Sequence, residues 1–177
     1  MIESLTAWVV AAMIAAWTWT SPIVGIAPRD IAKAIAQASD EKPLFEGADG
    51  SRRGAALMTA ISRFESGNRQ IPGDCKDKPP GWPGCGKDAS SHPTSFCFMQ
   101  VHFADGVEKV EGYTPEELMA DPLKCARAAR EIIRKSLLAS PKDEPLLQYA
   151  GRSSAARLRY ELAQRLFKSV PWNIRCE

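Results

Sequence analysis

The stretch RGAALMTAISRFESG, residues 53–67, constrains the fold more than any other part of the chain. Apolar side chains recur in it at the spacing i, i+3, i+4 and i+7, at Leu57, Ala60, Ile61 and Phe64. This period puts the four side chains on one helix face, so it predicts an amphipathic helix with a buried stripe. Gly67 is suited to the left-handed conformation that ends many helices, which places Glu65 in the last turn.

Glu65 is the residue of this helix with the clearest chemical potential. It lies four residues after Ile61, at the edge of the apolar face, where its carboxyl group is expected to be partly buried. Burial and the carbonyl groups of the last helical turn both disfavour a negative charge, so the carboxyl is expected to keep its proton near neutral pH. Cleavage of a glycosidic bond needs such a proton donor. The alternative interpretation is an exposed glutamate at a helix end.

Two further motifs follow Glu65-Ser66-Gly67 along the chain. Ser91 precedes SFCFMQV, residues 95–101, and Tyr149-Ala150-Gly151 lies nearer the C-terminal end. The order of the motifs, with Gln100 nine residues after Ser91, resembles the catalytic domain of soluble lytic transglycosylases and goose-type lysozymes. The resemblance covers residues from about Arg53 to Phe167. It implies a mainly α, lysozyme-like α+β fold with a small β-hairpin beside the cleft.

The resemblance also implies a reaction for Glu65. The carboxyl group would protonate the glycosidic oxygen between N-acetylmuramic acid and N-acetylglucosamine. It would then take the proton of the muramoyl C6 hydroxyl, which attacks C1 and closes a 1,6-anhydro ring. Ser91 and Tyr149 would hydrogen-bond the Glu65 carboxyl or the substrate acetamide, and Gln100 would line the sugar cleft. No cofactor or metal is expected in this scheme, and the partners are peptidoglycan glycan strands.

Two other function classes stay open at this point. A hydrolytic muramidase would need a second carboxylate to position water. Candidates for it stand in the loops, at Asp74, Asp77, Asp88 and Asp105. A cell-wall-binding or structural protein with the same fold would bind glycan without cutting it.

The N-terminal segment has a different composition from the rest. Leu5 to Pro28 carries no charged side chain and includes Trp8, Trp17 and Trp19. About 20 apolar residues span a bilayer as a helix, so we expect residues 1–28 to be a signal anchor or a cleaved signal peptide, with residues 29–177 as the lysozyme-like domain. A buried core helix is the third alternative. The first two predict a periplasmic or cell-envelope location, membrane-anchored or secreted, or association with a phage particle.

Five cysteines bear on the compartment. Cys75 and Cys85 flank a loop rich in proline and glycine, while Cys97 and Cys125 fall in predicted core segments, which predicts one disulfide in each pair and leaves Cys176 over. An oxidising location agrees with export. The alternatives are a zinc site made of Cys75, Cys85, His92 and Cys97, and a nucleophilic Cys97 with His102. Both histidines are most simply interpreted as loop or surface residues.

The remaining elements are predicted to be mainly helical. Asp30 is placed to cap a helix over 31–38, Thr114-Pro115-Glu116-Glu117 forms a capping box, and Asp121-Pro122 starts another helix. The buried stripe predicted for that last helix is Cys125, Ala129, Ile132, Ile133 and Leu137. The C-terminal helix is predicted over about 154–169. Its inward residues are predicted to be Leu158, Leu162, Leu166 and Phe167, and its outward residues Arg157, Arg159, Arg165 and Lys168.

Composition sets the outer limits. The chain has 177 residues, of which 45% are hydrophobic and 25% charged, which suits one globular domain with a terminal appendage. The formal net charge is only +2, so no nucleic-acid partner is expected. The oligomeric state is left open.

Overall fold

The computed structural model describes residues 2–16, 27–68, 95–104 and 106–172. Within these ranges the chain forms seven helices and a two-stranded antiparallel sheet. The helices are α1 (Ile2–Ala15), α2 (Pro28–Glu41), α3 (Gly50–Glu65), α4 (Pro115–Ala120), α5 (Pro122–Ala139), α6 (Leu147–Ala150) and α7 (Ser153–Ser169). The strands are β1 (Ser95–Phe96) and β2 (Val101–His102). The predicted fold class, mainly α with a small β-hairpin, is confirmed.

The central element is α3, which contacts α1, α2 and α7. Its residues 54–62 are buried on all sides, as expected for a helix inside a core. Leu57, Ala60 and Ile61 are buried as predicted. The prediction for Phe64 is wrong, since its side chain is 44% exposed. The last turn of α3 carries this ring to the surface, where the guanidinium of Arg159 lies over it at 5.3 Å from the ring centroid.

The N-terminal helix α1 packs into the same core. Its buried side chains are Leu5, Trp8, Val9, Ala12 and Met13, and it contacts both α2 and α3. The indole Nε1 of Trp8 donates a hydrogen bond of 3.0 Å to the carbonyl oxygen of Val170. This packing is what the core-helix alternative expects, while the signal-anchor and signal-peptide interpretations of residues 1–28 stay predictions.

Among the helices formed by the described residues, none has the length and the apolar character that crossing a bilayer requires.

Local sequence signals explain where most helices begin. Thr114 and Glu117 form the predicted capping box, each side chain bonded to the backbone of the other. Asp121 caps α5 by accepting from the backbone N–H groups of residues 123 and 124. The predicted start of α2 is wrong by three residues: the helix begins at Pro28, whose fixed backbone angle suits the first helical turn, so Asp30 lies inside the helix.

The β-hairpin follows the stretch 69–94 and contains the Met-Gln motif in its turn. Ser95 pairs with His102 and Phe96 with Val101, so that residues 97–100 form the connection. The hairpin contacts α4 through β1 and α5 through β2. Cys97 and Gln100 both have positive φ angles, 65° and 50°. Non-glycine residues rarely adopt this conformation, so the turn is held by its surroundings.

Candidate active site around Glu65

Glu65 is the last residue of α3, and the helix ends as the sequence predicts. The backbone N–H of Ser66 donates to the carbonyl oxygen of Ser62 at 3.1 Å, and Gly67 adopts the left-handed conformation with φ of 62°. The Glu65 side chain is 20% exposed. It is therefore partly buried at the edge of the core, as expected, but still reachable from solvent.

The partner of Glu65 is Arg159 of α7. Nε and Nη2 of Arg159 donate to the same carboxylate oxygen, Oε1, at 3.0 and 2.7 Å. Nη1 of Arg159 donates to the carbonyl oxygen of Ala155 at 3.0 Å. Among the described residues, none donates a hydrogen bond to the second oxygen, Oε2. Within the described part of the chain, Arg159 thus holds one of the two carboxylate oxygens.

The position of Arg159 overturns its predicted outward orientation. The buried face of α7 is formed by Ala156, Ala163 and Leu166, whereas Leu158, predicted to face inward, is 53% exposed. Arg159 lies between the two alanines in the helical repeat, so it shares their face and reaches the end of α3. Small alanine side chains let α7 approach α3 closely. Because Arg159 shares the alanine face of α7, its guanidinium reaches Glu65.

The ion pair was not expected from the sequence. Nη2 of Arg159 lies 2.7 Å from Oε1 of Glu65, and the side chains are 20% and 13% exposed, so solvent screens this pair less than a surface pair. Catalysis by Glu65 as an acid would therefore have to proceed beside the positive charge of Arg159.

Tyr149, in α6, lies close to both charges. Burial, and then the nearby Glu65 carboxylate, raise the pKa of the Tyr149 phenol, while Arg159 acts in the opposite direction. The phenol is therefore neutral at physiological pH. Its hydroxyl donates to the carbonyl oxygen of Met99 at 3.0 Å and not to the Glu65 carboxyl group, while the alternative contact with the substrate acetamide stays a prediction. The backbone N–H of Tyr149 donates to Oγ of Ser136 at 2.9 Å.

Ser66 connects the Glu-Ser-Gly motif to the hairpin turn, a role that sequence reasoning missed. Its hydroxyl donates to the carbonyl oxygen of Phe98 at 2.7 Å. Phe98 and Met99 are completely buried, which confirms that both are core residues. The hydroxyl groups of Ser66, directly after α3, and of Tyr149, in α6, therefore bind adjacent carbonyl groups of one turn.

Gln100 ends the same turn and is partly exposed. Its side-chain Nε2 donates to the carbonyl oxygen of Cys97 at 2.7 Å. The amide thus closes the turn on itself. Its predicted contact with the sugar cleft stays a prediction.

The predicted disulfide between Cys97 and Cys125 is present, with a Cα–Cα distance of 6.1 Å. It joins the hairpin turn to α5, whereas Ser66 and Tyr149 bind the carbonyl groups of that turn. Because its sulfur is bonded, Cys97 is available neither as a nucleophile nor as a zinc ligand. His102 is exposed, as expected, and lies 3.4 Å from Oγ of Ser95.

Several predicted site residues lie outside the described residues. They are Ser91, the pair Cys75 and Cys85, Cys176, His92, and the carboxylates Asp74, Asp77, Asp88 and Asp105. The second carboxylate of a hydrolase and the Ser91 contact therefore stay predictions.

A shallow groove runs between α3 and α7 at another place on the surface. It is lined by Phe45, Arg53, Leu57, Tyr160, Ala163, Gln164 and Phe167. Glu65 is not part of it, and the groove brings together no acid, base or nucleophile pair suited to catalysis.

The three motifs singled out in the sequence meet at this one place. Glu65-Ser66 contacts the turn that contains Met99, Tyr149 contacts the same turn, and Arg159 joins from α7. No protein-family model matches the chain, and neither the curated proteins nor the solved structures provide a significant match.

Proposed function

We propose that the protein is a peptidoglycan lytic transglycosylase in which Glu65 is the general acid and base. The observation that carries the proposal is the meeting of the Glu-Ser-Gly, Met-Gln and Tyr-Ala-Gly motifs. Residues 32 and 50 positions apart along the chain are hydrogen-bonded there, Ser66 to Phe98 and Tyr149 to Met99. Such long-range contacts are unexpected for motifs that match a family by chance.

The reaction needs only one carboxyl group. Protonated Glu65 gives its proton to the glycosidic oxygen, the C1–O bond breaks, and the N-acetylglucosamine end leaves as an alcohol. The acetamido group of the muramoyl residue stabilises the cationic C1. Glu65, now a carboxylate, then takes the proton of the C6 hydroxyl group, and the oxygen of that hydroxyl group bonds to C1. Glu65 ends the cycle protonated, so no net proton and no water are consumed.

The two carboxylate oxygens suit different tasks in this scheme. Oε1 is fixed by Arg159, and Oε2 is the oxygen that would face the glycosidic oxygen and later the C6 hydroxyl. Tyr149 and Ser66 hold the turn beside Glu65 and do not take part in proton transfer. A precisely held carboxyl group can accelerate the reaction because it removes the entropic cost of orienting an acid in solution.

One observation favours the non-catalytic alternative, a glycan-binding protein of the same fold. The salt bridge to Arg159 engages the same carboxyl group that the reaction needs as its proton donor. A binding protein would use the same pair as a fixed hydrogen-bonding group for sugar hydroxyls. The two functions differ in whether purified peptidoglycan is solubilised.

The proposed location is the cell envelope, where the glycan strands are found. The bond between Cys97 and Cys125 agrees with an oxidising compartment.

The test compares three purified proteins on peptidoglycan sacculi. Glu65→Gln keeps the shape of the side chain and removes its proton chemistry, so turnover should fall by about two to four orders of magnitude. Glu116→Gln is the matched control, because it makes the same change at an exposed glutamate of α4, and it should keep wild-type turnover. Near wild-type turnover of a folded Glu65→Gln variant would refute the catalytic role. Tight glycan binding by the wild type without any soluble product would establish the binding function instead.

A further inference from the structure

We propose that Arg159 is a positioning residue that orients Glu65 through Oε1. This inference rests on the proposed function and extends it to a residue outside the motifs that carry the resemblance. Arg159 does not touch the substrate in this account. It acts through the Glu65 carboxyl group.

The geometry of Arg159 is that of a fixed side chain. Its guanidinium donates twice to Oε1 of Glu65 and once, through Nη1, to the carbonyl oxygen of Ala155. The ring of Phe64 lies 5.3 Å below the guanidinium carbon. The Arg159 side chain is only 13% exposed. A guanidinium held from three directions presents one orientation, so the carboxyl group bonded to it is also held in one orientation.

Arg159 donates to only one oxygen of the Glu65 carboxylate, and this has a functional consequence. A bidentate pair would occupy both carboxylate oxygens and close the group to a substrate. Here both N–H groups converge on Oε1, and Oε2 accepts no hydrogen bond from the described residues. Arg159 therefore fixes the carboxyl group through one oxygen, and Oε2 is the oxygen that would meet the glycan in the proposed reaction.

The other charged groups near Glu65 in the described part of the chain do not replace Arg159. Tyr149, from α6, is neutral because burial raises its pKa. Arg63, on α3 itself, directs its Nε to the carbonyl oxygen of Ala16 at 3.3 Å. The described residues of α1 and α2, which also pack on α3, form no ion pair with Glu65.

The experiment compares wild type with Arg159→Gln, Arg159→Lys and a control, Arg165→Gln. Arg165 is exposed on the same helix, so its substitution removes the same charge without touching Glu65. The first measurement is the rate of anhydromuropeptide release against substrate concentration. We expect Arg159→Gln to lower kcat about 10- to 100-fold with little change in KM, because the carboxyl group is less well oriented. Arg159→Lys, which keeps a positively charged donor, should restore part of kcat, and Arg165→Gln should keep the wild-type value.

The second measurement does not depend on turnover. The ¹³C chemical shift of the Glu65 carboxyl group, assigned by its loss in Glu65→Gln, is compared among the folded variants under one set of conditions. It should change in Arg159→Gln, which loses both hydrogen bonds to Oε1, and stay in place in Arg165→Gln. An unchanged chemical shift in Arg159→Gln would overturn the inference, whatever the enzyme assay shows. A changed chemical shift in a protein that releases no anhydro product would uphold the pairing and refute the proposed function.

Discussion

Trp8 offers a direct test of whether the N-terminal segment belongs to the folded domain. Its side chain is completely buried among α1, α2 and α3 neighbours, and its indole N–H is bonded to Val170 at the end of α7. Truncation to alanine removes this apolar surface and leaves a cavity. We expect Trp8→Ala to lower the free energy of unfolding by about 3 to 5 kcal/mol, the usual cost for a buried tryptophan.

Two further variants separate the contributions. Trp8→Phe keeps an aromatic ring but leaves the Val170 carbonyl oxygen without its indole donor, so we expect it to cost about 1 to 3 kcal/mol. Ile14→Ala is the control on the same helix, because Ile14 is 53% exposed, and we expect it to stay within about 0.5 kcal/mol of wild type.

The assay is denaturant-induced unfolding followed by circular dichroism, with thermal unfolding as a check. A loss of 3 to 5 kcal/mol corresponds to a decrease in melting temperature of about 6 to 20 °C for a chain of this length. If residues 1–28 are a membrane anchor or a removed signal, Trp8 has no role in the folded domain. An unchanged unfolding free energy for Trp8→Ala would therefore refute the packing argument and favour those two interpretations.

The remaining predictions concern covalent and electrostatic links between elements. The disulfide of Cys97 and Cys125 joins residues 28 positions apart, so its removal in the double Ser variant should lower the unfolding free energy by about 3.5 kcal/mol on loop-entropy grounds; equal stability of oxidised and reduced wild type would contradict this. The Arg127 hydrogen bond lowers the pKa of Glu41 against the opposing effect of burial. The folded state therefore favours charged Glu41, and this stabilisation is present above the ordinary glutamate pKa and lost as pH falls through the lowered value. Both side chains are about one third exposed, so Arg127→Met should cost less than about 1 kcal/mol at neutral pH, and the difference from wild type should disappear in acid; a difference that persists at about pH 2 would contradict the pairing.

Much of the fold follows from local signals in the sequence. The end of α3 at Glu65-Ser66-Gly67, the capping box of α4 and the Asp121 cap of α5 depend on neighbouring residues, so the sequence predicts them directly. The bond between Cys97 and Cys125 was also predictable, because two cysteines in separate apolar segments are both expected in the core. The burial of Leu57, Ala60 and Ile61 follows from their helical period.

The orientation of α7 could not be predicted in the same way. Leucines are the expected inward residues of a helix, but here alanines face α3 and Leu158 faces solvent. Which face is buried depends on how closely two helices approach, and that is a tertiary property. The partner of Glu65 was missed for the same reason, since an arginine is assigned to solvent by default. The repeat of Ala156 and Ala163 was the one signal that could have placed Arg159 inward.

The contacts of Ser66 and Tyr149 could be predicted from the sequence only in part. The resemblance predicted that the three motifs belong to one site, and the structure brings Glu65, Met99 and Tyr149 together. It did not predict that the hydroxyl groups would bind the backbone of the hairpin turn. Those bonds depend on the position of residues 97–100, which the disulfide and the surrounding core determine.

The most direct test of the proposed function is the chemical identity of the product. Peptidoglycan is digested in oxygen-18 water, and the released muropeptides are analysed by mass spectrometry. Because the C6 hydroxyl is tethered to the reacting carbon, its effective concentration far exceeds that of a loosely held water, so ring closure should win. We predict 1,6-anhydromuropeptides that are one water lighter than the hydrolysis product and carry no label at the new muramoyl end. Labelled, reducing muropeptides would contradict the account and identify a hydrolase.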